Sequence, residues 1–234
     1  FALFIDADDH AHIVYDTSTP SLQYRRNKSI STTSAWSSAS TVDSTTAVAY
    51  EMPDLVVHRE GTGWMAHVLY KRSTIGPDPI VWAPITITSA DVITVGTKVT
   101  VDSDVGSATG TGGIDFHHTA TDEKAIQSST PHLYMVWCDG LNDVKFAKYT
   151  YSGGSWTAGT TRTIYTASGT PYAYMVFDGT RVVIALGDPT NIGLFERDAA
   201  DTTTTTKAGG GSTLTGYNMT YDADQNVWYI GVSS

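Results

Sequence analysis

Apolar runs of about six residues alternate with short acidic or glycine-containing turns along much of the chain. The segment Thr130–Trp137 is echoed 40 residues later by Thr170–Phe177, and Asp-Gly follows both copies. An apolar run, an Asp-Gly turn and a second apolar run predict two strands joined by a hairpin. The echo therefore predicts a β-unit that is repeated with a period of about 40 residues.

Similar strand-turn-strand patterns occur at both ends of the chain, over Phe4–Tyr15 and Thr220–Gly231, and again from Met52 to Tyr70. Units of this kind are predicted to start near residues 2, 53, 96, 131, 171 and 217. Four short strands in about 40 residues are typical of a β-propeller blade. We therefore predict an all-β fold, a propeller of five to six four-stranded blades in a single domain over 1–234; a β-sandwich is the alternative.

The chain starts with Phe1 rather than Met, and its last unit stops after a second strand. We therefore expect the propeller to be incomplete or part of a longer polypeptide. The chain contains one cysteine, Cys138, so no internal disulfide is expected.

Composition supports strands and excludes some partners. Charged residues make up only 16% of the 234 residues, whereas Ser and Thr number 57. The net charge is −10 with no basic stripe, and a nucleic-acid partner would require Lys and Arg to neutralise phosphates. We expect no nucleic-acid binding and, since no long apolar segment is present, no membrane insertion.

Two phrases carry a family resemblance. Asp6–Asp16 followed by Leu22–Arg26, together with Gly-Gly-Ser-Trp-Thr at 153–157, resembles sialidase-like propellers with BNR-type repeats. The intact Asp-box of that family, Ser-x-Asp-x-Gly-x-x-Trp, is absent from the sequence. The resemblance implies a propeller fold, and related propellers occur in polysaccharide-active enzymes, lectins and phage tail or virion surface proteins.

Carboxylates and aromatic rings supply the candidate site residues. Glycoside hydrolysis uses two carboxylates that flank the scissile bond, and the catalytic candidates at the predicted funnel are Asp6, Asp54 and Asp115. An aromatic ring can stack on a sugar through its apolar face. The ligand-binding candidates are His132, Tyr172 and Trp64.

Metal binding is predicted to be absent, with one alternative. Asp222-x-Asp224-x-Asn226 resembles the start of a calcium loop, but Val227 and Ser233 stand where that loop requires Gly and Glu. An Asx-type hairpin turn explains this pattern, and structural Ca²⁺ at Asp222 and Asp224 is the alternative. His10 and His12 share a strand face, but spacing alone does not supply the three convergent ligands that a metal site needs.

These observations predict a non-enzymatic recognition or structural module on an extracellular or virion surface, such as a phage tail or fibre. Its partner would be a glycan or a neighbouring subunit of a larger assembly, as in adhesion. The alternative is a secreted enzyme with carboxylates in the propeller funnel. It would be a glycoside hydrolase, of the sialidase type for example, or a polysaccharide lyase.

Overall fold

The computed structural model describes residues 1–6, 8–29, 35–45, 49–74, 78–103, 105, 114–117, 132–139, 142–152, 154–167, 172–177, 181–187, 192–198, 204–208, 216–222 and 227–233. All regular elements in these ranges are β-strands, and they form five antiparallel sheets. In the same residues, none of the elements is a helix with the length and apolarity needed to span a membrane.

The first two sheets contain the strands of the N-terminal half. Sheet 1 has four strands in chain order: β1 (Ala2–Ile5), β2 (Ala11–Asp16), β3 (Leu22–Asn27) and β4 (Ser40–Asp43). Sheet 2 has five: β5 (Ala49–Glu60), β6 (Gly63–Ser73), β7 (Ile80–Ile87), β8 (Ile93–Val95) and β9 (Val99–Asp102). Both β8 and β9 pair with β7, at its two ends.

The remaining three sheets follow in the same way. Sheet 3 contains β10 (Ile114–His117), β11 (His132–Cys138), β12 (Asp143–Ser152), β13 (Ser155–Ala158) and β14 (Arg162–Thr166). Sheet 4 contains β15 (Tyr172–Phe177), β16 (Arg181–Gly187), β17 (Ile192–Asp198) and β18 (Thr204–Ala208). Sheet 5 is a hairpin of β19 (Gly216–Asp222) and β20 (Val227–Ser233).

The chain divides into two compact units. Unit 1 contains sheets 1 and 2, and unit 2 contains sheets 3, 4 and 5. In unit 1, successive side chains of each strand point to opposite faces of the sheet. Trp64, Ala66, Val68 and Tyr70 of β6 share one face and belong to the core that sheets 1 and 2 form together. The sheet 1 side of this core is supplied by alternate residues of its strands, including Val14, Leu22, Tyr24 and Val42.

Unit 2 has a core of the same design. Tyr134 and Val136 of β11 pack with Met175 of β15 and with Val182 and Ile184 of β16. Sheets 3 and 4 therefore bury apolar faces against each other. Cys138 is 5% exposed and belongs to this core.

The structure places strands near most of the predicted unit starts. Sheets begin at residues 2, 49, 114, 172 and 216. Around the start predicted near 96, Val99–Asp102 pairs with β7 of sheet 2 and Ile114–His117 pairs with β11 of sheet 3. The other residues of that predicted unit, from 106 to 113 and from 118 to 131, lie outside the described residues.

Three hairpin turns share one hydrogen-bond pattern. In the turn after β1, the Asp6 amide donates to the carbonyl of His10, and Asp9 adopts a φ of 60°. The turns at 88–92 and 139–143 repeat both features, with Asp91 at a φ of 61° and Asn142 at 69°. Asp and Asn tolerate this left-handed conformation better than other side chains do.

Candidate functional site

A buried polar network lies at the turn end of sheets 1 and 2. We call it the turn cluster; it consists of Asp6, His10, His12, Tyr24, Arg26 and Asp91. Asp6 follows β1 and caps its own turn, since its Oδ1 accepts the amides of Asp8 and His10, each at 2.9 Å. Its second oxygen, Oδ2, lies 2.9 Å from His12 Nε2 and 3.0 Å from His10 Nδ1.

Hydrogen bonding fixes the tautomer of His12. Its Nε2–H donates to Asp6, so its Nδ1 accepts the hydroxyl proton of Tyr24 at 2.5 Å. Burial lowers the pKa of His12 despite the neighbouring carboxylate, and burial raises the pKa of Tyr24. The ring and the hydroxyl are therefore neutral, and the His12 ring, held by Tyr24, donates to Asp6.

Asp6 itself is held in its ionised form. Burial alone would raise the pKa of this carboxyl, but hydrogen bonds from His12 and from the backbone and side chain of His10 outweigh burial and lower it. Arg26 Nη2 lies 3.8 Å from the same carboxylate.

Arg26 connects the network to the next turn. Its side chain is only 6% exposed; Nη1 donates to Asp91 Oδ1 at 2.6 Å, and Nη2 lies 2.7 Å from His10 Nδ1. Its Nε is buried and has no hydrogen-bond partner. A buried donor of this kind calls for an oxygen atom from water or a ligand.

An exposed ion pair lies over this network. Arg59, near the end of β5, donates through Nη2 to Asp8 Oδ1 at 2.5 Å, and the two side chains are 41% and 38% exposed. The Arg59 guanidinium lies over the Trp64 ring, 4.9 Å from its centroid. His10 meets the same ring edge-on with centroids 6.2 Å apart. We call Asp8 and Arg59 the surface pair.

Two buried histidines of sheet 2, His67 and His58, form a hydrogen-bonded chain that leads to the backbone of Arg59. Trp82 Nε1–H can only donate, and it lies 3.2 Å from His67 Nδ1. The carbonyl of Arg59 can only accept, and it lies 2.9 Å from His58 Nδ1. The bond of 2.9 Å between the two Nε2 atoms therefore runs from His67 as donor to His58 as acceptor. This chain holds the backbone of Arg59.

The catalytic candidates have different surroundings in the described part of the molecule. Asp6 belongs to the turn cluster, whereas Asp54 lies in β5 and accepts the amide of Leu55 at 2.8 Å. Five residues separate Asp54 from Arg59, which is roughly 16 Å along a strand. Asp115 lies in β10 opposite Val136, and its side chain lies outside the described residues.

The ligand-binding candidates have different environments. Trp64 is 6% exposed and supports the surface pair from below. His132, in β11, is half-buried, and its Nδ1 lies 3.2 Å from Thr150 Oγ1. Burial and the charge of Lys148 lower the pKa of His132. Tyr172 starts β15 opposite Gly187, and its side chain lies outside the described residues.

The calcium alternative stays a prediction. Asp222 ends β19, and Asp224 lies outside the described residues. Among the residues that are described, no group of three or more His, Cys, Asp or Glu side chains could hold a metal ion.

Sequence reasoning did not single out Arg59 or Asp91. A signal for Asp91 is present, because Thr88 and Asp91 have the spacing of Asp6 and Asp9 in the first hairpin. Arg59 lies two residues before the β5–β6 turn at Gly61, next to a hairpin whose sequence echoes that of the first unit. An alignment of the repeated units on their turns, rather than on their strands, would have identified both residues as candidates.

Comparison with known proteins places the architecture. No family model matches the chain, and no curated protein sequence matches it. The fucose-specific lectin of Aleuria aurantia is similar in structure, with a TM-score of 0.56 and 11% identity over 93% of this chain. A mutant of that lectin in complex with Fucα1-6GlcNAc has a TM-score of 0.54 and 13% identity, also over 93% of this chain.

A third structure of the Aleuria aurantia lectin is described as a six-bladed β-propeller. It has a TM-score of 0.51 and 12% identity, and the match covers 99% of this chain and 77% of that one. The chain has a β-propeller fold. The all-β propeller prediction is thus confirmed. The chain spans 65% of the length of the first two lectin structures.

Membership of the sialidase-like propellers stays a prediction, because the similar structures share the propeller fold and not the BNR-type repeat specifically.

Proposed function

We propose that this propeller is a recognition module that binds glycans through the surface pair of Asp8 and Arg59. The observation that carries the proposal is the exposed ion pair itself, held over Trp64 and above a buried polar network. Binding groups that are fixed before the ligand arrives lose little conformational entropy on binding.

The chemistry of the surface pair matches hydroxyl groups. A sugar presents neighbouring hydroxyls that both donate and accept hydrogen bonds, and the pair offers guanidinium donors beside carboxylate acceptors. Arg59 is matched by Asp8, and the two cations Arg26 and Lys28 are matched by the two carboxylates of Asp6 and Asp91. Because each cation already has a carboxylate, the site favours a neutral sugar over an acidic one.

The structural comparison supports the same class of ligand. The similar Aleuria aurantia structures are those of a fucose-specific lectin. Their likeness to this chain concerns the fold, so glycan binding by this chain rests on the surface pair.

The turn cluster favours recognition over hydrolysis. A glycosidase needs one carboxyl with a raised pKa to protonate the leaving group. Hydrogen bonds from His12 and His10 instead lower the pKa of Asp6, and its two oxygens are occupied by bonds within the protein. Asp6 is therefore suited to holding the site in place.

We place this recognition on an extracellular or virion surface, in a module that contacts glycans or other subunits of an assembly. The acidic, hydroxyl-rich composition supports this setting, since such a surface stays hydrated and avoids polyanions.

A glycan array tests the proposal. The chain and its Arg59→Gln variant would be applied to neutral, sialylated and uronic-acid glycans, and the strongest interactions would be measured by calorimetry. We expect a neutral glycan to bind, and Arg59→Gln to weaken it about tenfold or more, as expected for loss of a charge-assisted hydrogen bond.

Arg162→Gln is the matched control, because Arg162 is an exposed arginine of β14 in the other unit. This variant should bind like the unmodified chain. Equal binding by the Arg59→Gln variant, with unchanged thermal stability, would contradict the proposal. Release of shortened products from the bound glycan would support the hydrolase or lyase alternative instead.

A further inference from the structure

A second charged cluster lies at the opposite end of sheets 1 and 2. We call it the Asp43 cluster; it consists of Asp43, Tyr70, Arg72 and Lys98. Asp43 ends β4 and is the strand partner of Leu22, and Leu22 is in turn the partner of Asp16. Asp16 is the last residue of β2, whereas His12 lies near its start. Along β6, Trp64 and Arg72 are eight residues apart, or about 26 Å in an extended strand. The two clusters are therefore separate sites.

Asp43 receives more hydrogen bonds than a carboxylate of a simple ion pair. Its Oδ2 accepts the Tyr70 hydroxyl at 2.7 Å and Arg72 Nη2 at 2.5 Å. Its Oδ1 accepts Lys98 Nζ and Thr45 Oγ1, each at 2.9 Å. Burial alone would raise the pKa of Asp43, but these bonds outweigh burial and lower it.

The cluster has an excess of positive charge. Two cations, Arg72 and Lys98, share the single carboxylate of Asp43, which leaves one net positive charge in a chain whose net charge is −10. Around the turn cluster, by contrast, the two carboxylates of Asp6 and Asp91 are matched by two cations, Arg26 and Lys28. A local positive excess on an acidic protein attracts anions.

The positive groups face outward and keep donors to spare. Asp43 is 1% exposed, whereas the side chains of Arg72 and Lys98 are 21% and 38% exposed. Lys98 has three N–H donors and uses one on Asp43. Arg72 bonds to Asp43 through Nη2 alone, and its Nε is buried without a partner.

From this geometry we infer that the Asp43 cluster is an oxyanion-binding site, in which Arg72 and Lys98 bind a sulfate or carboxylate group over the buried Asp43. Asp43 and Tyr70 hold the two cations in place, so the site is formed before the anion arrives. The group could belong to a free inorganic anion or to an acidic sugar, since both present the same oxygens. The inference does not depend on the surface pair.

Calorimetric titration with sodium sulfate at constant ionic strength tests the site. Sulfate also stabilises proteins by exclusion from their surface, so each result is compared with that of a Lys98→Gln variant. We expect saturable sulfate binding that Lys98→Gln weakens about tenfold and that Lys98→Arg largely restores. The Arg162→Gln variant should bind sulfate like the unmodified chain.

A second arm identifies the source of the anion. Glucuronate that binds more tightly than sulfate indicates an acidic sugar, and sulfate that binds at least as tightly indicates a free anion; methyl glucoside should not compete. Arg59→Gln should leave sulfate binding unchanged, which separates this site from the proposed glycan site. Absence of saturable binding, or equal binding by the Lys98→Gln variant, would overturn the inference.

Discussion

Asp6 is the residue on which the turn cluster depends. One carboxylate caps its own hairpin through Oδ1 and holds His10 and His12 through Oδ2, while the charge of Arg26 lies 3.8 Å away. Removal of this carboxylate would leave a buried guanidinium with less compensation and the Nε2–H of His12 without an acceptor. The residue was a catalytic candidate by sequence, and its environment gives it a positioning role.

An Asp6→Ala variant should lose about 3–5 kcal/mol of unfolding free energy, the cost of removing one partner from a buried charged network. Urea denaturation monitored by tryptophan fluorescence measures the change. Asp16→Ala is the control, because Asp16 is exposed and its carboxylate caps only a surface turn, so its cost should stay below about 1 kcal/mol. Equal losses in both variants would contradict the assigned role of Asp6.

The histidine chain of sheet 2 makes stability depend on pH. Burial lowers the pKa of His58 from 6.5 to about 4, and it lowers the pKa of His67 well below 6.5. Both rings are neutral when folded and take up protons when unfolded, so the unfolded state binds more protons below pH 6.5. Folding stability should therefore fall as the pH falls from 6.5 to 4, by up to about 1.4 kcal/mol per pH unit for each ring.

Urea denaturation at several pH values measures this slope, and nitrogen NMR of the rings shows the tautomers, with protons on His58 Nδ1 and His67 Nε2. A flat profile between pH 6.5 and 4 would show that these rings are not held neutral. Carboxylates with lowered pKa values, such as Asp6 and Asp43, stabilise the fold above their ordinary pKa of 3.8, and this stability is lost as the pH falls below about 5.

Hairpins are the elements that place the site. The β1–β2 turn positions Asp6, Asp8 and His10, and the turn at 88–92 positions Asp91 beside Arg26. The β5–β6 hairpin places Arg59 opposite Trp64, because those two residues are strand partners. The surface pair is thus formed by the tips of neighbouring hairpins.

Two glycines of the β5–β6 hairpin are constrained in different ways, Gly61 by its backbone conformation and Gly63 by a close backbone neighbour. A Cβ atom at Gly63 would lie 2.3 Å from the carbonyl oxygen of Ile87, whereas at Gly61 nothing lies within 4 Å and only the φ of 58° opposes a side chain. Gly61→Ala should cost about 1–2 kcal/mol, the strain of a left-handed residue. Gly63→Ala should cost more, because β6 and β7 must separate. Thermal denaturation of both variants measures this, and the reverse order would contradict the β6–β7 register.

Element by element, sequence pattern predicted the hairpins well and their place in a blade less well. Apolar runs around Asp-rich turns identified β1–β2, β11–β12 and β19–β20, since the pattern reflects local turn chemistry. The echo of 131–137 at 171–177 suggested equivalent first strands. Among the described strands β11 has partners on both sides, whereas β15 pairs with β16 alone. Local pattern does not record how many neighbours a strand has.

At the scale of the whole molecule, repeat spacing was enough to predict the propeller, because the same strand-turn-strand pattern recurs at a period of about 40 residues. The site was less accessible to sequence reasoning. Asp6 and Trp64 were both candidates, but their connection through His10 and His12 depends on how sheets 1 and 2 pack. Arg59 acquires its role only from that packing.

The charge of the whole molecule also makes a prediction. The cations of the surface pair and the turn cluster are matched by carboxylates, so binding of a neutral glycan releases few counterions. We expect its affinity to change less than about twofold between 50 and 500 mM NaCl, unlike nucleic-acid binding, which weakens steeply with salt. Calorimetry at both salt concentrations checks this, and a steep decrease would contradict the matching of cations by carboxylates at the site.

A crystal structure of the chain with the strongest neutral glycan from the array tests the central claim most directly. We predict a β-propeller with the sheets described above, and sugar hydroxyls within hydrogen-bond distance of the Arg59 guanidinium and the Asp8 carboxylate. A sugar bound elsewhere, with the Asp8–Arg59 pair intact and exposed, would contradict the account.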